Sequence, residues 1–401
     1  MRNTSFLLAL LLLSLASCGR EQTPRPPNES GKGGASPASW REAAKKARDQ
    51  GVQFLLSRAQ EGKWSFAPGQ PPSLGITGLA VLSVLRAARG KPTPALAGTL
   101  DWIAAQQKPD GSIHAGQLAT YCTSISILAL KASGKEKYEP VMTRAFEYLR
   151  QVQLDGGEGY EESSEYYGGI GYEKKKDDPQ KPNPNVSTTA WALEAAAATG
   201  LPKDDEFYSR ALVFLRRSQN RSESNDFVHE EGGSRVEPGN DGGAYYQPWA
   251  SRAGIETRPD GRKAFRSYGS MSYALLKSYL FCNLDSRDPR VRALLDWLNR
   301  NWKVGTNPGM EHLEEEGAPY KGLYYYWLTL GRTLTAAEAR GHDFKGTPLA
   351  AWRESVARAL VDQQGKDGSF VNSKNGSWWE QSPLLVTGYA VLTLDHCLGG
   401  P

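Results

Sequence analysis

Two kinds of helix alternate along the chain. One is amphipathic, with Arg144, Arg150, Arg216, Arg217 and Arg292 set among apolar positions. The other is apolar nearly all round, as in Gly78-Leu79-Ala80-Val81-Leu82, Ile125-Ser126-Ile127-Leu128-Ala129-Leu130 and Thr189-Ala190-Trp191-Ala192-Leu193. A helix apolar on every side is buried on every side. The pattern predicts amphipathic helices over Trp40–Ala59, Pro94–Gln107, Lys135–Gln153, Asp204–Ser218, Pro289–Asn301 and Pro348–Gln364. Each is followed by an apolar partner: Leu74–Ala88, Gln117–Ala132, Val186–Thr199, Tyr268–Phe281, Lys321–Leu334 and Leu384–Cys397. An apolar inner ring wrapped by an amphipathic outer ring satisfies both patterns. The predicted fold is therefore all-α, an (α/α)6 toroid of six helical hairpins.

The hairpins carry a repeated phrase. Outer helices end in an aromatic or aliphatic pair, and a glutamine follows: Phe54-Leu55…Gln60, Trp102-Ile103…Gln107, Tyr148-Leu149…Gln153, Phe214-Leu215…Gln219 and Leu360-Val361…Gln364, with Trp297-Leu298…Trp302 a degenerate copy. Repeats at this period mark stacked supersecondary units. Lys108-Pro109-Asp110-Gly111-Ser112-Ile113 recurs as Lys366-Asp367-Gly368-Ser369-Phe370, and Leu154-Asp155-Gly156-Gly157 is a looser copy. Asp-Gly makes a tight turn because Gly accepts positive φ. The glutamine amide is expected to bond backbone at a helix end, stapling repeat to repeat.

The first residues read as targeting rather than fold. Arg2 precedes the apolar-rich Phe6 to Leu15, and Leu15-Ala16-Ser17-Cys18 resembles a bacterial lipobox. The expected organisation is a lipoprotein signal over 1–18 with lipidation at Cys18, a Pro/Gly/Ser tether over 19–38, and the toroid over 39–398. That implies a membrane link through Cys18 and a periplasm-facing place in the cell envelope, with the outer membrane favoured because Gly19 follows the cysteine. Net charge is +4. Its cations form no stripe with interleaved aromatics, so nucleic acid is not an expected partner. Cys122, Cys282 and Cys397 lie in apolar helices and read as buried thiols, not a disulfide scaffold.

Gln-x-x-x-Gly-x-(aromatic or apolar) after outer helices resembles the QW-type repeat of squalene and other terpenoid cyclases, whose α/α toroid is shared by protein prenyltransferase β subunits. Gln364…Gly368…Phe370, Gln107…Gly111…Ile113 and Gln153…Gly157 carry the resemblance, and Gln60-Glu61-Gly62-Lys63-Trp64 is a shortened copy. The likeness covers roughly residues 40 to 398 and is closest to bacterial prenyltransferase/squalene oxidase repeat proteins. In class II cyclases an Asp-x-Asp-Asp-Thr-Ala motif opens an inner helix, and its middle aspartate protonates an alkene or epoxide. Here that place reads Asn185-Val186-Ser187-Thr188-Thr189-Ala190, with no acid. Ser187 and Thr188 are read as pocket-lining or as helix caps. The prenyltransferase zinc set of Asp, Cys and His is not matched either: His114, His229, His312 and His342 lack cysteine partners, and Asp395-His396-Cys397 is crowded at a helix end. No cofactor or metal is expected.

What remains is aromatic. Two long turns, Leu154–Asn185 and Asn220–Arg266, hold Tyr160, Tyr166, Tyr167, Tyr172, Tyr245, Tyr246 and Trp249. Tyr268, Tyr325, Tyr326 and Trp379 stand at or before inner-helix starts, which in the related folds face the cavity mouth. Together with Ser187 and Thr188 they are the expected lining of one pocket, since long loops are often functional. Asp241, Glu165, Glu230 and Glu231 are its available acids, and Asp241 is the candidate catalytic group. The expected partner is a hydrophobic small molecule, an isoprenoid or other lipid, and any chemistry would be cyclase-, isomerase- or prenyltransferase-like. Two alternatives stand beside this. One is a non-enzymatic envelope scaffold with a protein or glycan partner. The other is a polysaccharide-active α/α barrel using Asp241 with Glu230 or Glu231, and Trp378-Trp379 as a sugar platform.

Overall fold

The computed structural model describes residues 37–67, 69–91, 94–173 and 182–400. The signal segment, Cys18 and the tether up to residue 36 lie outside the described residues. Twelve α-helices are described. The outer helices are α1 (Pro37–Ser57), α3 (Pro94–Ala105), α5 (Glu139–Gln151), α7 (Glu206–Arg216), α9 (Pro289–Arg300) and α11 (Trp352–Gln363). The inner helices are α2 (Leu74–Ala87), α4 (Ala119–Ala132), α6 (Val186–Ala198), α8 (Gly269–Phe281), α10 (Leu323–Glu338) and α12 (Pro383–Cys397). Each inner helix packs on the next, and α12 packs back on α2, so the inner ring closes. All six run the same way, with their starts at one end of the axis. Among the described residues no helix is long and apolar enough to cross a membrane.

The repeated glutamines do staple the ring. Gln107 Nε2 donates to the Gly111 carbonyl at 3.1 Å and to Val141 of α5 at 2.8 Å. Gln153 does the same to Gly168 and to Phe207 of α7, and Gln219 to Gly242 and to Arg290 of α9. Gln364 closes the circle, donating to Gly368 and to Ala47 of α1. Each amide thus satisfies one carbonyl of its own turn and one carbonyl of the next outer helix, where an unpaired group would be costly. The turn glycines have φ between 79° and 90°, and a Cβ would strike the next outer helix: at Gly168 it would stand 1.8 Å from the Arg210 carbonyl oxygen. The third copy therefore pairs Gln153 with Gly168, not with Gly157. The register was masked in sequence by an eleven-residue insertion ahead of the glycine.

A second staple runs inward. The residue closing each turn donates its N–H to an inner-helix hydroxyl: Trp64 to Thr77, Ile113 to Thr123, Ile170 to Thr189, Ala244 to Ser272 and Phe370 to Thr387. The turn before α8 departs from the all-α expectation. It holds four three-residue strands, β1 (His229–Glu231), β2 (Ser234–Val236), β3 (Ile255–Thr257) and β4 (Lys263–Phe265), in the order β1-β2-β4-β3. The two hairpins close through Gly232-Gly233, both at positive φ, and through Pro259-Asp260-Gly261. Those are short-range hairpin signals.

Candidate functional site

Within the buried inner helices, single residues break the pattern. Tyr121 of α4, Glu194 of α6, Tyr325 of α10 and Tyr389 of α12 are each partly accessible in the middle of buried runs. They mark the face that borders the axis. Two tiers follow. Ser187 and Glu194, Tyr325 and Arg332, and Tyr389 and His396 are each seven residues apart, two helical turns or about 10 Å.

The upper tier, near the helix starts, is built of hydroxyls and rings. Ser187 Oγ shares hydrogen bonds with Tyr121 Oη at 2.5 Å and with Tyr325 Oη at 2.6 Å. Since α6 and α10 are separated in the ring by α8, the second of these bonds crosses the axis. The Tyr121 and Tyr172 rings stack at 5.9 Å, and Tyr389 leans on Tyr325 at 6.0 Å. Tyr172 and Tyr246 join through their hydroxyls, which ties the two long turns together over the mouth. Their backbones also set the inner-helix starts: Thr120 donates to the Tyr172 carbonyl and Val186 to the Tyr246 carbonyl. Tyr268 is buried beside this group, where it feels Arg252, Tyr325 and Tyr172. Burial pushes the hydroxyls of Tyr121, Tyr246, Tyr268 and Tyr389 up, so the tier is neutral.

The lower tier is ionic. Glu194 accepts from Lys277 Nζ at 2.6 Å through one oxygen and from Arg332 through the other. Burial would raise Glu194, but the charges of Arg332 and Lys277 outweigh it and hold the carboxyl at about 2. Burial and Arg332 bring Lys277 down to about 8 against the pull of Glu194. The Arg332 guanidinium lies 4.0 Å above the Trp191 ring, with Lys277 at 5.5 Å. Trp191 is therefore committed to cations that belong to the protein.

The expected lining residues separate. Ser187, Tyr246, Tyr268 and Tyr325 meet at the axis. Tyr326 turns away and donates to the Lys303 carbonyl at 2.6 Å, as its position next to Tyr325 on a helix requires. Tyr245 packs with Phe265 and donates to the Arg217 carbonyl at 2.9 Å, beneath the small sheet. Thr188 neither lines the axis nor caps the helix: Asn185 is the cap, accepting from the Thr188 N–H, and the Thr188 hydroxyl donates to the Ile170 carbonyl. Trp378 and Trp379 stand on the rim, 42 % and 51 % exposed, both at positive φ, with Trp379 edge-on to Phe66.

Asp241 lies in the Gln219 turn, against the outer ring. Its carboxylate accepts from the Gly243 N–H, Ser267 Oγ and Trp297 Nε1. It holds the same place as Asp110 and Asp367, each of which accepts from the N–H two residues on. Glu230 is exposed and pairs with Arg235, while the Glu231 side chain lies outside the described residues. The acid beside the upper tier is Glu380, fully buried before α12. It accepts from the Tyr325 N–H at 2.8 Å and from Asn372 Nδ2 at 2.7 Å. Burial pushes it up to about 7 despite these bonds. Sequence reasoning passed over Tyr121, Tyr389, Glu194, Lys277 and Arg332, although a lone charge inside a helix otherwise apolar all round was a signal for the last three.

Two depressions of about 440 and 410 Å3 lie on the outer wall, one flanking α1 and one between α7 and α9, lined by charged and amide side chains. Neither meets the axis. Among the described residues no group of three or more His, Cys, Asp or Glu is placed to hold a metal ion.

Comparison with known proteins agrees with this geometry. A family model described as the squalene-hopene cyclase C-terminal domain matches residues 67–233. The type II terpene cyclase MstE from Scytonema, solved with merosterolic acid A as product, superposes with a TM-score of 0.51 at 15 % identity, over 90 % of this chain and 99 % of that one. The chain folds as a terpenoid-cyclase-type α/α toroid. MstE with geranylgeranyl dihydroxybenzoate as substrate gives a TM-score of 0.52 at 14 % identity over the same shares. A protein from Actinoplanes gives 0.51 at 16 % identity over 88 % of this chain and 99 % of that one. No curated protein matches the sequence.

Proposed function

We propose that this toroid binds an isoprenoid or similar hydrophobic molecule at the tyrosine-lined end of its axis and does not protonate it. The observation that carries the reading is the convergence of Tyr121, Tyr172, Tyr246, Tyr268, Tyr325 and Tyr389 on one end of the axis. Aromatic faces with neutral hydroxyl tips accept a hydrocarbon chain and a few hydrogen-bonding groups. The toroid of MstE holds a geranylgeranyl substrate and a terpenoid product, which supports the same class of ligand here. Where a class II acid would stand, Asn185 is the N-cap, Ser187 bridges two tyrosines and Thr188 bonds the Ile170 carbonyl. None of these groups delivers a proton to an alkene. Glu380 is engaged as the cap of α10, and Asp241 is engaged with Trp297. The reading extends to a chain anchored in the cell envelope through Cys18, on the strength of Leu15-Ala16-Ser17-Cys18.

Mass spectrometry of the protein purified from its native host tests both parts. A near-stoichiometric isoprenoid or lipid is expected, together with an acylated N-terminus at Cys18, and Tyr325→Trp should deplete the bound molecule by filling the axis. An empty site, or a bound glycan instead, would sink the ligand reading. An unmodified Cys18 would sink the anchor.

A further inference from the structure

Trp378 and Trp379 take no part in the axial site. Among the described residues no other tryptophan is exposed. Of the four exposed large hydrophobic side chains there, Val371, Trp378 and Trp379 belong to one turn. Burying an indole is strongly favourable, so a contiguous pair left outside marks an interaction surface. Both tryptophans also hold left-handed backbone, at φ 56° and 64°, and among the described residues no other two non-glycine neighbours do so. That conformation costs stability in a residue with a Cβ and persists only where the surroundings impose it.

The surroundings do impose it. Asn372, buried under the turn, donates to the Tyr320 carbonyl at 2.8 Å and to Glu380 at 2.7 Å. Its Oδ1 accepts from the N–H groups of Lys374 and Asn375. The Glu380 N–H donates to the Ser377 carbonyl at 3.2 Å, and the Ser382 N–H to the Trp379 carbonyl at 2.8 Å. The Trp378 ring rests on Gly322, where a Cβ would stand 2.5 Å from it, and Lys321 Nζ lies 5.6 Å from its centre. Phe66 braces Trp379 edge-on at 5.8 Å. Each indole is thus held on one side and open on the other. In the same turn Ser373 and Gln381 are exposed, and their side chains make no hydrogen bond among the described residues.

We propose that Trp378 and Trp379 form a platform for a neutral glycan, with pyranose rings laid on the indoles and their hydroxyls bonded by Ser373 and Gln381. The axial C–H groups of a pyranose make one face apolar, and its hydroxyls seek polar partners at the rim. Size and charge favour this occupant over two others. At their exposure the two indoles offer roughly 200 Å2, the scale of one or two sugar rings. A specific protein partner needs about 800 Å2 from each side. An anionic bilayer would be repelled by the exposed Glu314-Glu315-Glu316 run, which Asn375 joins to the turn through the Gly317 carbonyl at 3.4 Å. Glycoside cleavage wants two free carboxyls flanking the sugar. Glu380 beneath the platform is engaged by Asn372 and the Tyr325 N–H, and Asp241 by Trp297, so the platform binds and does not cleave. It stands independently of the isoprenoid reading.

Calorimetric titration of the full protein with cellohexaose, chitohexaose and maltohexaose tests this, beside co-sedimentation with phosphatidylcholine and phosphatidylglycerol vesicles. At least one hexasaccharide is expected to bind. Its affinity should fall at least about tenfold in Trp378→Ala and in Trp379→Ala, and should hold in Ile255→Ala, which removes an exposed side chain elsewhere. Trp379→Gly guards against a folding artefact, because glycine suits the left-handed position and the indole is lost while the backbone is eased. Sugar binding that survives the tryptophan substitutions would overturn the platform. If Tyr325→Trp then abolishes it, the sugar occupies the axis and the isoprenoid reading falls too. No hexasaccharide binding at millimolar concentration would overturn the platform and leave the axial reading standing, and so would vesicle binding that depends on the two tryptophans without sugar binding.

Discussion

The two tiers of the axial face are built on the same helices, two turns apart, yet they obey different physics. The upper tier is joined by neutral hydroxyl bonds, Tyr121 to Ser187 to Tyr325. The lower tier is joined by buried charge, Lys277 and Arg332 on Glu194. A neutral hydrogen bond contributes about 1 kcal/mol net, so a ligand can displace it cheaply. A buried ion cluster is costly to disturb from either side, because removing one member strands the others. The hydroxyl-bonded end of the axis is thus expected to open at lower cost than the ionic end, its floor.

The comparison breaks most severely at Glu194. Glu194→Gln removes the carboxylate and leaves Lys277 and Arg332 buried without it. The expected loss is about 3–5 kcal/mol at neutral pH, measured by denaturant unfolding. The wild type should approach the variant only in strong acid. Glu194 is held below its ordinary 4.5, so its stabilisation is full above that pH and fades as pH falls through about 2. A loss under 1 kcal/mol would mean that the floor is as soft as the mouth.

Glu380 sharpens the contrast, because it is a carboxyl at the other tier with the opposite shift. Burial raises it from 4.5 to about 7. Its contribution is therefore fully present below pH 4.5 and is lost as pH rises through 7. The two carboxyls divide the pH axis, since Glu194 stabilises the neutral range and Glu380 loosens it. Glu380→Gln mimics the protonated form and should remove a decline of about 3 kcal/mol between pH 4.5 and 7.5. Thermal melts across that window in both proteins would show it. Parallel curves would mean that Glu380 does not titrate there.

Much of this architecture was legible in the sequence, and the part that was not has a physical reason. Helix periodicity placed the twelve helices, because an inner ring must be apolar all round and an outer ring on one face only. The glutamine phrase announced the staples, since an amide serving two carbonyls needs a fixed distance from a glycine. The axial tiers were harder to see. Tyr325 and Tyr326 are adjacent and alike in sequence, yet one meets the axis and the other meets Lys303. Only the rotation of α10 tells them apart. Asp241 was attractive because it sits in an aromatic loop, but Asp110 and Asp367 already showed the same residue in the same turn. The ionic floor was written as single charges in Trp191-Ala192-Leu193-Glu194, Leu276-Lys277-Ser278 and Gly331-Arg332-Thr333. Each is unremarkable until a closed ring brings them together.

The smallest expected effect probes the mouth itself. Tyr325→Phe deletes the hydroxyl that crosses the axis at 2.6 Å, while Ser187 keeps its bond to Tyr121. Because Ser187 retains a partner, the loss of stability should be about 1 kcal/mol. The ring of Phe fills the same space, so packing against Tyr389 persists. What changes is the work of opening the axis, since one bond fewer has to be broken when a chain passes the upper tier. Titration with geranylgeraniol should therefore show affinity rising a few-fold in Tyr325→Phe, with the gain in the association rate because the closed mouth is the barrier. A variant as damaged as Glu194→Gln, or one with weaker binding, would mean that the hydroxyl network is part of the floor's rigidity and not a gate above it.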